Sequence, residues 1–193
     1  MENGIPYEIL AGTGLLYAAP VGTTFPLLTA VPAATWVLLG DTDGGVTVTL
    51  DQTVEVKRSD QRTGPVKAFR TEEDLRVKTS LLHATLENLQ LLHTNSLTDT
   101  PAGAGTIGTR EINLHRGFVV DEYALLFRGV SAYGNYPAQY EVPRGFIDSP
   151  IELVHAKDDT VAIPMEFRAL EDPNAATEAE RFGKLIMQDA AAL

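Results

Sequence analysis

The alternation of hydrophobic and polar residues changes period partway along this chain. Over 75–81, Leu75, Val77, Thr79 and Leu81 alternate with Arg76, Lys78 and Ser80, the two-residue period of a strand with one face buried. From Leu82 the spacing becomes Leu82, Leu86 and Leu89, one stripe of a helix predicted over 82–92. No Gly or Pro separates them, so the pattern predicts a strand running straight into a helix. Upstream, Val46, Val48, Leu50, Val54 and Val56 share one parity, while Thr47, Thr49, Asp51, Thr53 and Glu55 hold the other. The polar stretch "SDQRTGP" (59–65) follows, and beyond it Phe69, Leu75, Val77 and Leu81 again share a parity. Two alternating arms around a polar tip predict a long β-hairpin. Its middle, 52–73, holds far more charge than hydrophobe, which predicts that it reaches beyond its own domain.

The flanking segments read as shorter strands separated by turns. Strands are predicted around 15–18 and 36–39, joined by a loop that Pro20, Pro26 and Pro32 interrupt. "GDTDGG" (40–45) reads as a turn, and 93–111 as a loop rich in Gly, Thr and Ser. Strand-like runs follow at 118–130, 138–147 and 160–170, where Pro143 and Pro164 predict edges or bulges. Thr177 with Glu180 three residues on forms a capping box that predicts a terminal helix with Phe182 and Ile186 on one face. The expected fold is mainly β: an antiparallel β-sandwich or partial barrel with one packed helix, a long extended hairpin and a C-terminal arm or helix. Residues 1–172 form the β domain with an N-terminal arm, and 173–193 the helical arm.

Composition narrows the chemistry. At 44% hydrophobic and 21% charged, 193 residues build a core. Cysteine is absent, which excludes disulfides and thiolate metal sites. The net charge is -11, and the first 56 residues carry six acids and no Lys, Arg or His. An acidic surface does not grip nucleic acid through its phosphates, and a start without basic residues is not a secretory signal. The longest apolar run, 27–40, contains Pro32 and is too short for a bilayer. A soluble chain with no membrane partner is expected.

Candidate catalytic motifs lack their context. "GAGTIG" (103–108) matches a dinucleotide fingerprint, but a Thr/Asp/Pro loop precedes it where a strand is needed. "DTDGG" (41–45) opens like a calcium loop, yet Val46, Val48 and Leu50 follow and Gln52 stands where a bidentate Glu is required. His83, His93, His115 and His155 are scattered, with no ligand spacing. No cofactor, metal site or catalytic constellation is expected.

Four segments together resemble a tailed-bacteriophage major tail tube protein of the siphophage type: "GTGLLYAAPVGTTFP", "WVLLGDTDGGVTVTLDQTVEVKRSD", "EEDLRVKTSLLHATLENLQLL", and "YALLFRGVSAYG" with "QYEVPRGFI" and "KDDTVAIPMEFRALED". They span most of 12–172. The resemblance implies a structural virion protein, made in the host cytoplasm and located in the virion tail. Six subunits form a ring, and rings stack into the conduit for genome ejection. It further implies that the hairpin and the termini bridge subunits. Expected partners are other copies, the tape measure, tail terminator and distal tail proteins, with double-stranded DNA crossing the lumen without specific binding. Asp51, Glu55, Glu72 and Asp74 are then candidate lumen-facing residues, although Lys57, Arg76 and Lys78 share their parity. Arg58, Asp60, Arg62, Lys67 and Arg70 are candidate contacts at the hairpin tip, and Leu82, Leu86 and Leu89 pack the helix on the sheet. The alternative is a monomeric β-barrel that binds a small molecule, which the low aromatic content of 7% disfavours.

Overall fold

The computed structural model describes residues 13–93, 95–158 and 160–190; the expected N-terminal arm lies outside the described residues. The fold is mainly antiparallel β, as the alternation predicts. Its elements are β1 (Leu15–Pro20), β2 (Val37–Leu38), β3 (Thr42–Arg58), β4 (Pro65–Leu81), α1 (Leu86–His93), β5 (Leu97–Thr100), β6 (Thr109–Ile112), β7 (Tyr123–Val130), β8 (Pro137–Ile147), β9 (Ile163–Ala169) and β10 (Lys184–Met187). One sheet runs in the order β2-β1-β7-β8-β9-β4-β3, with β10 paired to β8; β5 and β6 form a separate two-stranded sheet.

The two faces of the central strands are both buried, and the registers say how. Leu16 and Ala18 stand opposite Phe127 and Leu125, and this face joins Val77, Leu81, Ile163, Met165 and Phe167 in the main core. The alternate residues Tyr17 and Ala19 stand opposite Leu126 and Ala124, facing a second cluster with Trp36 and Phe25. The Pro-interrupted segment before Trp36 supplies that second cover. Arg128 donates to the carbonyls of Ala30 (2.6 Å) and Leu27 (2.7 Å), and Gln139 donates to that of Pro26 (3.0 Å). The Trp36 indole N–H reaches the Thr24 carbonyl at 3.1 Å. Buried polar groups thus hold the backbone of an otherwise irregular segment.

Four local expectations change. The helix begins at Leu86, not Leu82, because Leu82 is still tied to the hairpin by its N–H to the Asp41 carbonyl, at 2.9 Å. Thr85 is the residue before the helix, and its hydroxyl accepts from the Asn88 N–H at 3.3 Å. "GDTDGG" does not end a strand: Gly44 and Gly45, at φ 69° and 80°, form a bulge inside β3. The terminal helix is absent from its expected place. Thr177 makes no side-chain cap, a single 3-10 turn covers Glu178–Glu180, and β10 follows. Gly183, at φ 108°, turns the chain against Glu141, where any Cβ would strike that residue's carbonyl. β10 then pairs with Ala138, Gln139, Tyr140 and Glu141 of β8, beyond the part of β8 that β9 reaches. An unpaired central strand edge outweighs the local helical signal. Finally, β5 and β6 build a short hairpin inside the expected loop 93–111, with "GAGTIG" in its connection.

Pro143 does sit at a bulge, between the Leu125–Val142 and Tyr123–Gly145 pairs. Pro164 lies in β9 outside the stretch that β8 pairs, so its missing N–H costs no ladder bond there.

Candidate assembly interface

The hairpin of β3 and β4 divides into a root and a free ribbon. β4 pairs with β9 from Arg76 to Leu81, so among the described residues the two strands from Leu75 outward pair with each other alone. At the root, Leu75 and Val77 are buried. In the ribbon, Leu50, directly opposite Leu75, is 75% exposed, and Val54, Val56 and Phe69 are exposed as well.

A bulge at Thr71 changes what each face carries. Thr53 pairs with Glu72 but Val54 pairs with Arg70, leaving Thr71 as the extra residue. Below the bulge the parity of β4 is as the sequence predicts. Beyond it the parity reverses, and Phe69, opposite Glu55, joins the charged face instead of sharing a face with Leu75. One ribbon face therefore presents Leu50, Gln52, Val54 and Val56 with Ala68, Arg70 and Glu73. The other presents Asp51, Thr53, Glu55 and Lys57 with Lys67, Phe69, Glu72 and Asp74.

The four candidate carboxylates, Asp51, Glu55, Glu72 and Asp74, thus share a face, but their settings differ. Asp74 lies at the root between Arg76 (3.2 Å) and Arg168 (2.9 Å). Arg76 also bonds Glu166, which Lys78 meets at 2.9 Å. Burial alone would raise the Asp74 pKa, and the hydrogen bonds from Arg168 and Arg76 outweigh it to hold the carboxyl below its ordinary value. Lys78 and then Arg76 hold Glu166 down in the same way, against its burial. Asp51 stands directly opposite Asp74 with no cation of its own among the described residues, and Glu72 accepts from the Thr53 hydroxyl at 3.1 Å. Glu55 pairs with Lys57 at 2.5 Å. The root of this face is a balanced ion-pair network, and its unneutralised negative charge sits on the ribbon.

The tip residues expected to make contacts are exposed, as an interface requires. Arg58 donates to the Thr63 carbonyl at 3.2 Å, Lys67 lies 4.9 Å from the centre of the Phe69 ring, and Arg70 reaches Gln52 at 2.8 Å and Glu73 at 3.4 Å. Asp60 and Arg62 occupy the turn itself.

Around α1, Leu89 packs against the main core together with Leu91. Leu86 is half-buried, and Leu82 lies in the connection before the helix. Asn88 of the helix is buried, and its amide donates to the carbonyls of Leu39 (3.0 Å) and His83 (2.8 Å), clamping the helix to the strand ends. Arg110 of β6 bridges Asp99 and Glu87, fastening the small sheet to this helix. An open groove of about 700 Å³ lies between the ribbon's inner face (Leu50, Leu75) and β8 and β10 (Tyr140, Val142, Leu185). The Thr71 bulge, the Arg128 clamp and β10 are the features that hydrophobic spacing did not reveal.

A family model described as phage tail tube protein matches residues 6–192. No curated protein matches the chain in sequence.

Proposed function

The chain belongs to the phage tail tube protein family, a structural component of the virion tail, and on that premise we propose that six copies close into a ring and that rings stack into the conduit for genome ejection. The observation that carries this is the ribbon. Seventeen-residue strands leave a folded body with outer edges that no described residue pairs and with Leu50, Val54 and Val56 exposed. A long, partly apolar strand edge is an association surface. A closed ring that pairs such edges between subunits removes them. The role needs no cofactor and no catalysis. Further partners are the tape measure, tail terminator and distal tail proteins, and synthesis takes place in the host cytoplasm.

The charged ribbon face is the surface proposed to meet the lumen. Asp51 and Glu72 repel phosphates there, while Glu55 is offset by Lys57 and the Asp74 network beside them is self-neutralised, so DNA passes along a wall that repels weakly and binds nothing. Residues 1–172 act as the ring-forming body, and the segment 173–193 folds back onto it through β10. Electron microscopy of the purified chain with its native mass, with and without a tail initiation complex, tests the assembly. Six-fold rings or hollow tubes are expected. A chain that stays monomeric even with the initiator overturns it. Ejection rates unchanged by Asp51→Asn with Glu55→Gln would sink the role of the lumen carboxylates.

A further inference from the structure

The tip of the ribbon is cationic on an anionic chain. Lys57, Arg58, Arg62, Lys67 and Arg70 face one acid, Asp60, in that stretch; the remainder holds ten of the 15 basic residues against 25 of the 26 acids. Four of these five cations are already engaged, with Glu55, the Thr63 carbonyl, the Phe69 ring and the Gln52–Glu73 pair. The Arg62 guanidinium, at the turn, bonds to nothing among the described residues.

The body carries a matching acceptor. Residues 171–180 hold four acids, Glu171, Asp172, Glu178 and Glu180, and no base. Beside them is a cavity of about 140 Å³, open on one side and lined by Phe25, Pro143, Glu141, Asp172, Glu180 and Lys184. Lys184 lies 3.5 Å from the buried Glu141 carboxylate, which also accepts from Gln139. The Glu180 carboxylate has no partner among the described residues. A ring, a proline face and a free carboxylate at the rim match a guanidinium, which stacks on aromatic faces and forks to carboxylates. A Lys ammonium can sit over a ring but neither stacks flat on it nor forks to a carboxylate.

We propose that the cationic ribbon tip of one copy docks on the acidic 171–180 segment of a second copy, with Arg62 entering the cavity between Phe25 and Glu180. The inference rests on the tube reading and names the contact within it. Nucleic acid is the weaker partner for the tip, because Asp51 and Glu72 directly behind it repel phosphates and two of its cations, Lys57 and Arg70, are already paired with Glu55 and Glu73. The body of another copy carries the excess acid instead.

The test compares wild type, Arg62→Glu, Glu180→Arg and the double exchange by sedimentation and electron microscopy, with circular dichroism to confirm that each subunit is folded. Each single change is expected to raise the concentration for half-assembly about tenfold or more, and the double exchange to recover most of that loss. Arg62→Glu that assembles like wild type overturns the inference and leaves the tube reading intact. Wild type that never assembles, even with a tail initiation complex added, overturns both. Retention of double-stranded DNA that Arg62→Glu abolishes, with assembly unchanged, assigns the tip to nucleic acid and overturns it as well.

Discussion

The central strands and the ribbon share backbone geometry and differ in everything that stabilises it. β1 and β7 are antiparallel strands packed on both faces, one in the main core with β8 and β9 and the other against Trp36 and Phe25 near Ala19 and Leu126. The outer parts of β3 and β4 form an equally regular ladder, and their large apolar residues stay exposed. Backbone hydrogen bonds contribute little net stability because water competes for both groups, whereas burial contributes ~25 cal/mol per Å². A two-stranded ribbon is marginal on its own in water. It persists as a continuation of a root anchored at Leu75, Val77 and Leu81, and its surface remains available to a partner.

The sharpest break in the comparison is a core truncation. Phe167→Ala, at a side chain only 1% exposed, should cost about 3–5 kcal/mol in chemical denaturation of the subunit. Arg128→Met should cost about 2 kcal/mol, since charged hydrogen bonds to the Leu27 and Ala30 carbonyls are lost. Limited proteolysis should then cut within 21–35 before it cuts the ribbon.

Acid should act on the root and spare the ribbon. Asp74, Glu122 and Glu166 have folded-state pKa values held below their ordinary ones; for Glu122 the cause is the hydrogen bond from Arg144, which outweighs its burial. Their contribution to stability is complete above the unfolded carboxylate values, roughly pH 4–4.5, and is lost as pH falls through the lower folded ones. Denaturation midpoints should be flat from neutrality to about pH 5 and then fall. Asp74→Asn should flatten that fall, and a slope unchanged by it would remove Asp74 from the account. The smallest effect on the subunit belongs to the ribbon: Leu50→Ser with Val54→Ser should change stability by less than about 0.5 kcal/mol. The same pair should prevent assembly, and its separation of the two readouts is the direct measure of how unlike the regions are.

What was legible in the sequence follows the same division. The hairpin could be read because its alternation is long on both arms, and the core parity of Leu75, Val77 and Leu81 followed from it. Leu82 fits both a strand end and a helix stripe, so the helix start was placed too early. Thr71 adds one residue inside a polar run, where no hydrophobic partner marks the shift, and Phe69 was assigned to the wrong face. Thr177 with Glu180, and Phe182 with Ile186, satisfy helical spacing locally. The edge of β8 that recruits β10 instead lies some forty residues earlier and leaves no local trace. The clamp on 21–36 is equally remote, since Arg128 and Gln139 are about a hundred residues from the carbonyls they hold. Among the candidate assembly residues, type and exposure could be read. Which charges are neutralised could not, because Arg168 reaches Asp74 from another strand.

The strand order also sets a sequence in time. Leu16 must find Phe127 across the whole hairpin and helix before the central strands exist, and such distant closures are slow. The β3–β4 turn closes locally, in about 1–10 μs for hairpins of this kind. The adhesive element therefore forms before the body that restrains it, during the interval when edges are most prone to mispair. Asp51 against Asp74 and Lys57 against Lys67 place like charges face to face along it. Each weakens the hairpin slightly, and each also discourages a second nascent copy from adding on in the same register. The small cost in local stability thus also disfavours pairing between nascent chains.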